Sequence, residues 1–147
     1  MEKYKTNVIT ESFIAEYFSI SYKEACEIHK KLELIAFDNQ EVIVSEGDEA
    51  DGLYFIDEGK ATVINEKGES INELDAGEYF GEYAILAGEK RLSTVLAHGK
   101  TTVYRLSSRD FLKIVSKYPQ ITGRLLKQVY GQITTKHTKL VSLTHKS

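Results

Sequence analysis

The spacing of apolar positions changes along the chain and divides it into helical and extended regions. Near the N-terminus, Phe13, Ile14, Tyr17 and Phe18 recur at helical spacing behind Thr10, an N-cap residue whose hydroxyl can accept from a free backbone N–H. Ser21 and Glu24 make a capping-box pair that opens a second helix, with Ala25, Ile28 and Leu32 along one face. From Leu32 the period falls to two. Leu32, Leu34 and Ala36 alternate with Glu33, Ile35 and Phe37, and short β runs follow at 41–45, 53–56, 61–64, 70–74, 92–98 and 101–106, with Tyr79-Phe80 as a further β edge. Polar or glycine-containing turns at 38–40, 57–59, 66–68, 75–77 and 98–100 separate these runs. About eight short strands at this spacing predict a mainly β fold, a sandwich or a barrel of jelly-roll type.

The helical period returns near residue 107. Ser107 and Asp110 cap a helix running to about Lys117, and Tyr118-Pro119 breaks it. A last helix then shows Ile121, Leu125, Val129 and Ile133 on one stripe. The pattern is that of one domain over residues 1–147, with an N-terminal helical segment (1–31), a β body (32–107) and C-terminal helices (108–147).

Residues 79–95 contain more than a strand or a helix needs. Gly77 and Gly81 bracket the aromatic pair, Glu82 opens a helical turn with Ala84, Ile85 and Leu86 as apolar members, and Ala87-Gly88-Glu89-Lys90 ends it. Arg91 stands at the mouth of the next β run. A helix start exposes unpaired N–H groups and attracts anions. An arginine beside it adds a planar, always-charged fork suited to phosphate oxygens. The adjacent carboxylate repels phosphate, so its task is to accept from a sugar hydroxyl or to orient the arginine.

Gly81-Glu82-x-Ala84-Ile85-Leu86, followed by Arg91, resembles the phosphate-binding cassette of the cyclic nucleotide-binding domain family. Upstream, Ile43-Val44-x-x-Gly47-Asp48-x-Ala50-x-x-Leu53-Tyr54-Phe55-Ile56-x-x-Gly59 resembles a second signature of the same family. The resemblance implies an eight-stranded antiparallel jelly-roll β-barrel, with helices before it and two C-terminal lid helices after it. It also implies that Arg91 pairs with the exocyclic phosphate oxygens and Glu82 accepts from the 2′-hydroxyl. Backbone N–H groups of Ala84 and Leu92 would complete the cradle, and Gly81 would leave room for the ribose. The inner stripe of the last helix puts Val129, Gln132, Ile133 and Lys136 within reach of the base, with Tyr130 as an aromatic alternative for stacking; core packing alone would also explain the aliphatic members. The family usually has small residues at both positions after the arginine; here they are Leu92 and Ser93. Leu92 lacks the hydroxyl that guanine-favouring members carry there, and Ser93, one residue along a strand, would point to the opposite face. The expected ligand is therefore cAMP, with cGMP as the weaker alternative, unless Leu92 only packs against the barrel and the lid sets selectivity.

Each of these residues also has a plainer reading. Arg91 could form a surface salt bridge to Glu89 or Glu82, and Glu82 could serve only as a helix-start carboxylate. Asp48 and Asp51 read as turn carboxylates without a partner for acid–base work. The rival for the whole chain is a docking or assembly module of the same fold that senses no nucleotide; the presence of both Glu82 and Arg91 weighs against it.

Composition narrows the field further. At 147 residues, 41% hydrophobic and 28% charged, the chain has the make-up of an ordinary globular domain. A lone Cys26 fits a reducing compartment, and no signal peptide or membrane-length apolar run is visible, so a cytoplasmic location is expected. After Asp110 there is no Asp or Glu, while Lys113, Lys117, Arg124, Lys127, Lys136, Lys139 and Lys146 follow. That basic end suits an acidic partner or effector, or simply complements the acidic body. The histidines at 29, 98, 137 and 145 have no metal-ligand spacing, and no nucleophile stands beside a base, so neither a metal-dependent cupin nor any other enzyme is expected. No cofactor is implied beyond the nucleotide ligand. Transcription regulators of the family add a helix-turn-helix; the stretch beyond Ile133 is too short for one, and direct DNA reading is not expected.

Overall fold

A computed structural model describes residues 8–119 together with Ile121, Gly123, Leu125 and Lys127. The N-terminal helices form where the capping residues place them. In α1 (Glu11–Phe18) the Thr10 hydroxyl accepts from Phe13 N–H, and α2 (Tyr22–His29) opens on the complete Ser21/Glu24 capping box. Leu32 lies beyond α2, just before the first strand.

The β body is an antiparallel sheet of six strands: β1 (Glu33–Phe37), β2 (Val42–Val44), β3 (Gly52–Ile64), β4 (Ser70–Asp75), β5 (Tyr79–Phe80) and β6 (Thr94–Ser107). The main order is β1-β6-β3-β4, with β2 on β6 and β5 on β3. The pattern counted eight strands because it broke the two long ones at their glycines. Residues 57–59 and 98–100 read as turns, yet β3 and β6 run straight through them. The pairing instead shifts register around Ile56, Glu58 and Lys60 against Thr102 and His98. Gly59 absorbs that shift. Its φ is +93°, and a Cβ there would lie 2.5 Å from the Lys100 carbonyl oxygen, so the position marks a bulge under close backbone approach rather than a chain reversal. Among the described residues β1 and β4 do not pair, so the sheet is not closed by hydrogen bonds into a barrel.

Both faces of the sheet are covered, which explains the unbroken apolar run on β3. Leu53 and Phe55 join α1, α2, Ile85, Leu106, Phe111, Ile121 and Leu125 in one core. Tyr54 and Ile56 point the other way, into a second core with Ile43, Val44, Ala61, Leu74, Val95, Ala97 and Val103. On β1, Ile35 and Phe37 pack inward and Leu34 is exposed. α4 (Ser108–Lys117) begins at Ser107, whose side chain accepts from Asp110 N–H, and buries Phe111, Ile114 and Val115.

The N-terminal segment is pinned to the sheet by a buried carboxylate. Asp57 accepts from the backbone N–H groups of Val8 at 2.9 Å and Ile9 at 2.8 Å. His29 Nε2 donates to the Ile9 carbonyl at 2.8 Å. Asp57, read from the sequence as part of a turn, is instead a strand residue that fastens another segment.

Candidate functional site

β5 pairs with β3, setting Tyr54 opposite Phe80 and Phe55 opposite Tyr79. The chain then turns at Gly81, with φ +110°, into α3 (Glu82–Ala87), which ends at Gly88 in the left-handed region. Gly81 is required twice over. Its backbone lies where L-residues are strained, and a Cβ would sit 2.6 Å from Arg91 Nη1 and 2.8 Å from the Gly52 carbonyl oxygen. Within α3, Glu82 is 1% exposed, and Ala84 and Ile85 are buried. Gly81 offers no side chain to cap the helix.

Arg91 is 5% exposed, and its backbone is stitched to the 47–48 loop. Its N–H donates to the Asp48 carbonyl at 2.8 Å, and its carbonyl accepts from Gly47 N–H at 2.9 Å. The guanidinium is folded inward. Nη2 donates to Asp51 Oδ1 at 3.0 Å and to the Gly52 carbonyl, and Nη1 donates to the Gly81 carbonyl at 3.3 Å. The charged carbon lies over the Tyr54 ring, 5.6 Å from its centroid, and Phe80 stacks on Tyr54 at 5.1 Å. Nε is buried without a hydrogen-bond partner among the described residues.

The arginine end of its ion pair is therefore buried, and the pair is made with neither Glu82 nor Glu89. Glu89 accepts from the Tyr83 hydroxyl at 3.0 Å, while Asp51, read from the sequence as a turn carboxylate, is the counter-charge. Asp51 Oδ2 is engaged as well, by the Tyr54 hydroxyl at 2.9 Å and Arg105 Nε at 3.3 Å. Burial pushes the Asp51 carboxyl up, but the Tyr54 hydrogen bond and the Arg91 and Arg105 guanidiniums outweigh it and hold it below the usual carboxylate range. Burial, together with Asp51, pushes the Tyr54 hydroxyl up to about 12, so it stays a donor.

Leu92 and Ser93 form a bend between Arg91 and β6, with Leu92 47% exposed. The expected strand over 92–98 begins only at Thr94, so strict face alternation between Leu92 and Ser93 does not hold. The structure thus sets Gly81 directly against Arg91, buries Glu82 and Ala84 in α3, and leaves Leu92 at the surface with Ser93 half-buried. Val129, Tyr130, Gln132, Ile133 and Lys136 lie outside the described residues. Sequence reasoning missed Asp51, Tyr54 and Arg105. One signal was available for Asp51: a buried guanidinium requires a nearby carboxylate, and the 47–51 loop carries two aspartates. Among the described residues, no group of three or more His, Cys, Asp or Glu is placed to hold a metal ion. No helix among them is long and apolar enough to cross a membrane.

Solved structures share the fold. A cAMP-bound PfPKA-R fragment (141–441) superposes with a TM-score of 0.71 at 21% identity, over 88% of this chain and 46% of that one. The regulatory domain of Toxoplasma gondii PKA, crystallised with cAMP, gives a TM-score of 0.68 at 24% identity, over 80% and 48%. In sequence, the chain is 32% identical over 120 residues to a cAMP-dependent protein kinase regulatory subunit of Mucor circinelloides f. lusitanicus, covering 78% of this chain and 28% of the relative. It is 40% identical over 111 residues to the type II regulatory subunit of Drosophila melanogaster, covering 74% and 28%. The chain thus spans less than a third of the length of these two relatives. Residues 34–118, more than half of the chain, match the family model described as the cyclic nucleotide-binding domain, and the chain belongs to that family.

Proposed function

We propose that this domain is a receptor for a cyclic nucleotide, cAMP in preference to cGMP, and that it signals through its C-terminal helices rather than by catalysis. The observation that carries this reading is the buried Arg91 guanidinium, facing a glycine where no Cβ intrudes and held by one half-exposed carboxylate. A buried cation needs an anion, and the anion it has is exchangeable. A phosphate presents two oxygens to the guanidinium fork and can displace Asp51, which retains Tyr54 and Arg105. In this reading Gly81, Glu82, Ala84, Arg91, Leu92 and Ser93 line the site. The Ala84 N–H, in the first turn of α3, is among those a helix leaves without an internal partner. If β3 and β6 are each counted as two strands across the bulge, the body has the eight strands of a jelly-roll.

The route to an output also has support. Ile85 of α3 packs in the same core as Ile121 and Leu125, so a shift of α3 alters what the start of the C-terminal helix rests on. The relatives' names make a regulatory subunit the parent to test for, with an effector meeting the basic C-terminal end.

Two results would check the site. Glu82 is assigned to the 2′-hydroxyl, and a hydrogen bond to a charged acceptor contributes roughly 1.5–3 kcal/mol. Glu82→Ala is therefore expected to weaken cAMP by that amount and to leave 2′-deoxy-cAMP almost unaffected; a wild-type protein indifferent to the 2′-hydroxyl contradicts the assignment. Leu92 has no hydroxyl for the guanine amino group, and an unpaired desolvated donor costs about 1–3 kcal/mol. Competition binding should show cAMP preferred about tenfold, with Leu92→Thr narrowing the gap. Equal affinities, or a preference for cGMP, would remove Leu92 from the explanation.

A further inference from the structure

Asp51 carries a single negative charge between two guanidiniums, and the two are held very differently. Arg91 is buried and reaches only Oδ1. Arg105 approaches from β6 on the other side. Its Nε donates to Asp51 Oδ2 at 3.3 Å, its Nη2 to the Asp51 backbone carbonyl at 2.7 Å, and its Nη1 to Glu33 Oε1 at 3.4 Å. Cross-strand register fixes it there, since Arg105 stands opposite Tyr54 on β3 and opposite Glu33 on β1. The Tyr54 hydroxyl adds a second hold on Oδ2. Asp51 is thus anchored through Oδ2 and its backbone, while its contact with Arg91 through Oδ1 can be given up without moving the carboxylate.

We propose that Arg105 is a positioning residue that tunes the affinity of the site by sharing Asp51 with Arg91. The proposal rests on the reading of Arg91 as the ligand for phosphate. In the empty site, Arg105 draws off part of the Asp51 charge and loosens its grip on Arg91. Once an anionic phosphate takes Arg91, Arg105 and Tyr54 keep Asp51 paired, so the exchange strands no charge. Without Arg105, Asp51 has Arg91 as its sole cationic partner of the two, and an incoming phosphate must break a tighter pair.

Dependence on Asp51 separates this from general attraction. Any lost positive charge near the site weakens anion binding through space, but only shared pairing makes the effect depend on Asp51. Calorimetric titration with cAMP should therefore be run on wild type, Arg105→Gln, Asp51→Asn and the double variant, with urea unfolding to confirm that each is folded. Arg105→Gln is expected to weaken binding about three- to fivefold in the wild-type background, the range for a partly exposed charge pair, and clearly less in the Asp51→Asn background, where only the through-space loss remains. Arg105→Lys, which keeps the charge, should recover part of the loss. Unchanged binding in Arg105→Gln, or an equal loss in both backgrounds, overturns the proposal. If the wild-type protein binds no cAMP, the functional reading fails first, and ligand-free unfolding decides the pairing by itself. The Asp51–Arg91 coupling, measured with Arg91→Gln, should then be larger in the Arg105→Gln background than with Arg105 present; equal couplings overturn the sharing.

Discussion

Replacing Arg91 with alanine is expected to reduce cAMP affinity by on the order of 2–5 kcal/mol while the domain remains folded. The loss is large because the guanidinium is the charge buried between Gly81 and Gly52, and among the described residues no other cation is buried to pair with a desolvated phosphate. The fold should survive because the variant does not strand its partner: Asp51 keeps the Tyr54 hydroxyl and Arg105 on Oδ2. Arg91 also tethers the carbonyls of Gly52 and Gly81, so some stability is lost with it. Arg91→Lys gives the necessary comparison, since it retains a charge without the planar fork and should bind between wild type and the alanine variant. Calorimetry beside urea unfolding separates the two effects. An alanine variant that binds within about threefold of wild type would show that Arg91 does not hold the phosphate.

The second large effect concerns stability and lies away from the site. Asp57→Ala removes the acceptor for two backbone N–H groups, those of Val8 and Ile9, and Ile9 is fully buried in the helix-side core. A buried donor left unsatisfied costs about 1–3 kcal/mol, and with the Ile9 N–H buried and the Val8 N–H only partly so, a loss of roughly 2–4 kcal/mol is expected unless the segment detaches and rehydrates. Detachment would uncover the core under α1, and the unfolding slope against urea would then fall along with the midpoint. Asp57→Asn keeps one acceptor oxygen and should fall between. A change below about 0.5 kcal/mol in Asp57→Ala would mean that the N-terminal segment is held by its apolar contacts alone.

What could be read from the sequence was whatever depends on neighbours along the chain. Thr10, Ser21 with Glu24, and Ser107 with Asp110 marked helix starts because a capping bond spans three residues. The turn from Gly81 into Glu82–Ala87 and its end at Gly88 were visible for the same reason. Strand counting failed at Gly59 and Gly99. A glycine in a bulge and a glycine in a turn have the same local signature, and only the partner strand tells them apart. The charge pairing of the site was hidden more deeply. Asp51 meets Arg91 across 40 positions and Arg105 across 54, through a register that no local period encodes. Asp57 was lost the same way, its two donors lying 49 and 48 positions upstream. The misplaced start of β6 at Leu92 has a simpler origin. Arg91 is bonded through its backbone to the 47–48 loop, which bends the chain before it can enter the sheet.

The most direct test of the proposed receptor role is a calorimetric titration of the wild-type chain with cAMP at neutral pH, followed by thermal unfolding with and without the nucleotide. Saturable binding of one cAMP per chain is expected, with a melting temperature that rises with ligand concentration, because a ligand that binds only the folded state stabilises it. No heat and no shift in melting up to about millimolar cAMP would contradict it, and Arg91 would then be a structural arginine held permanently by Asp51.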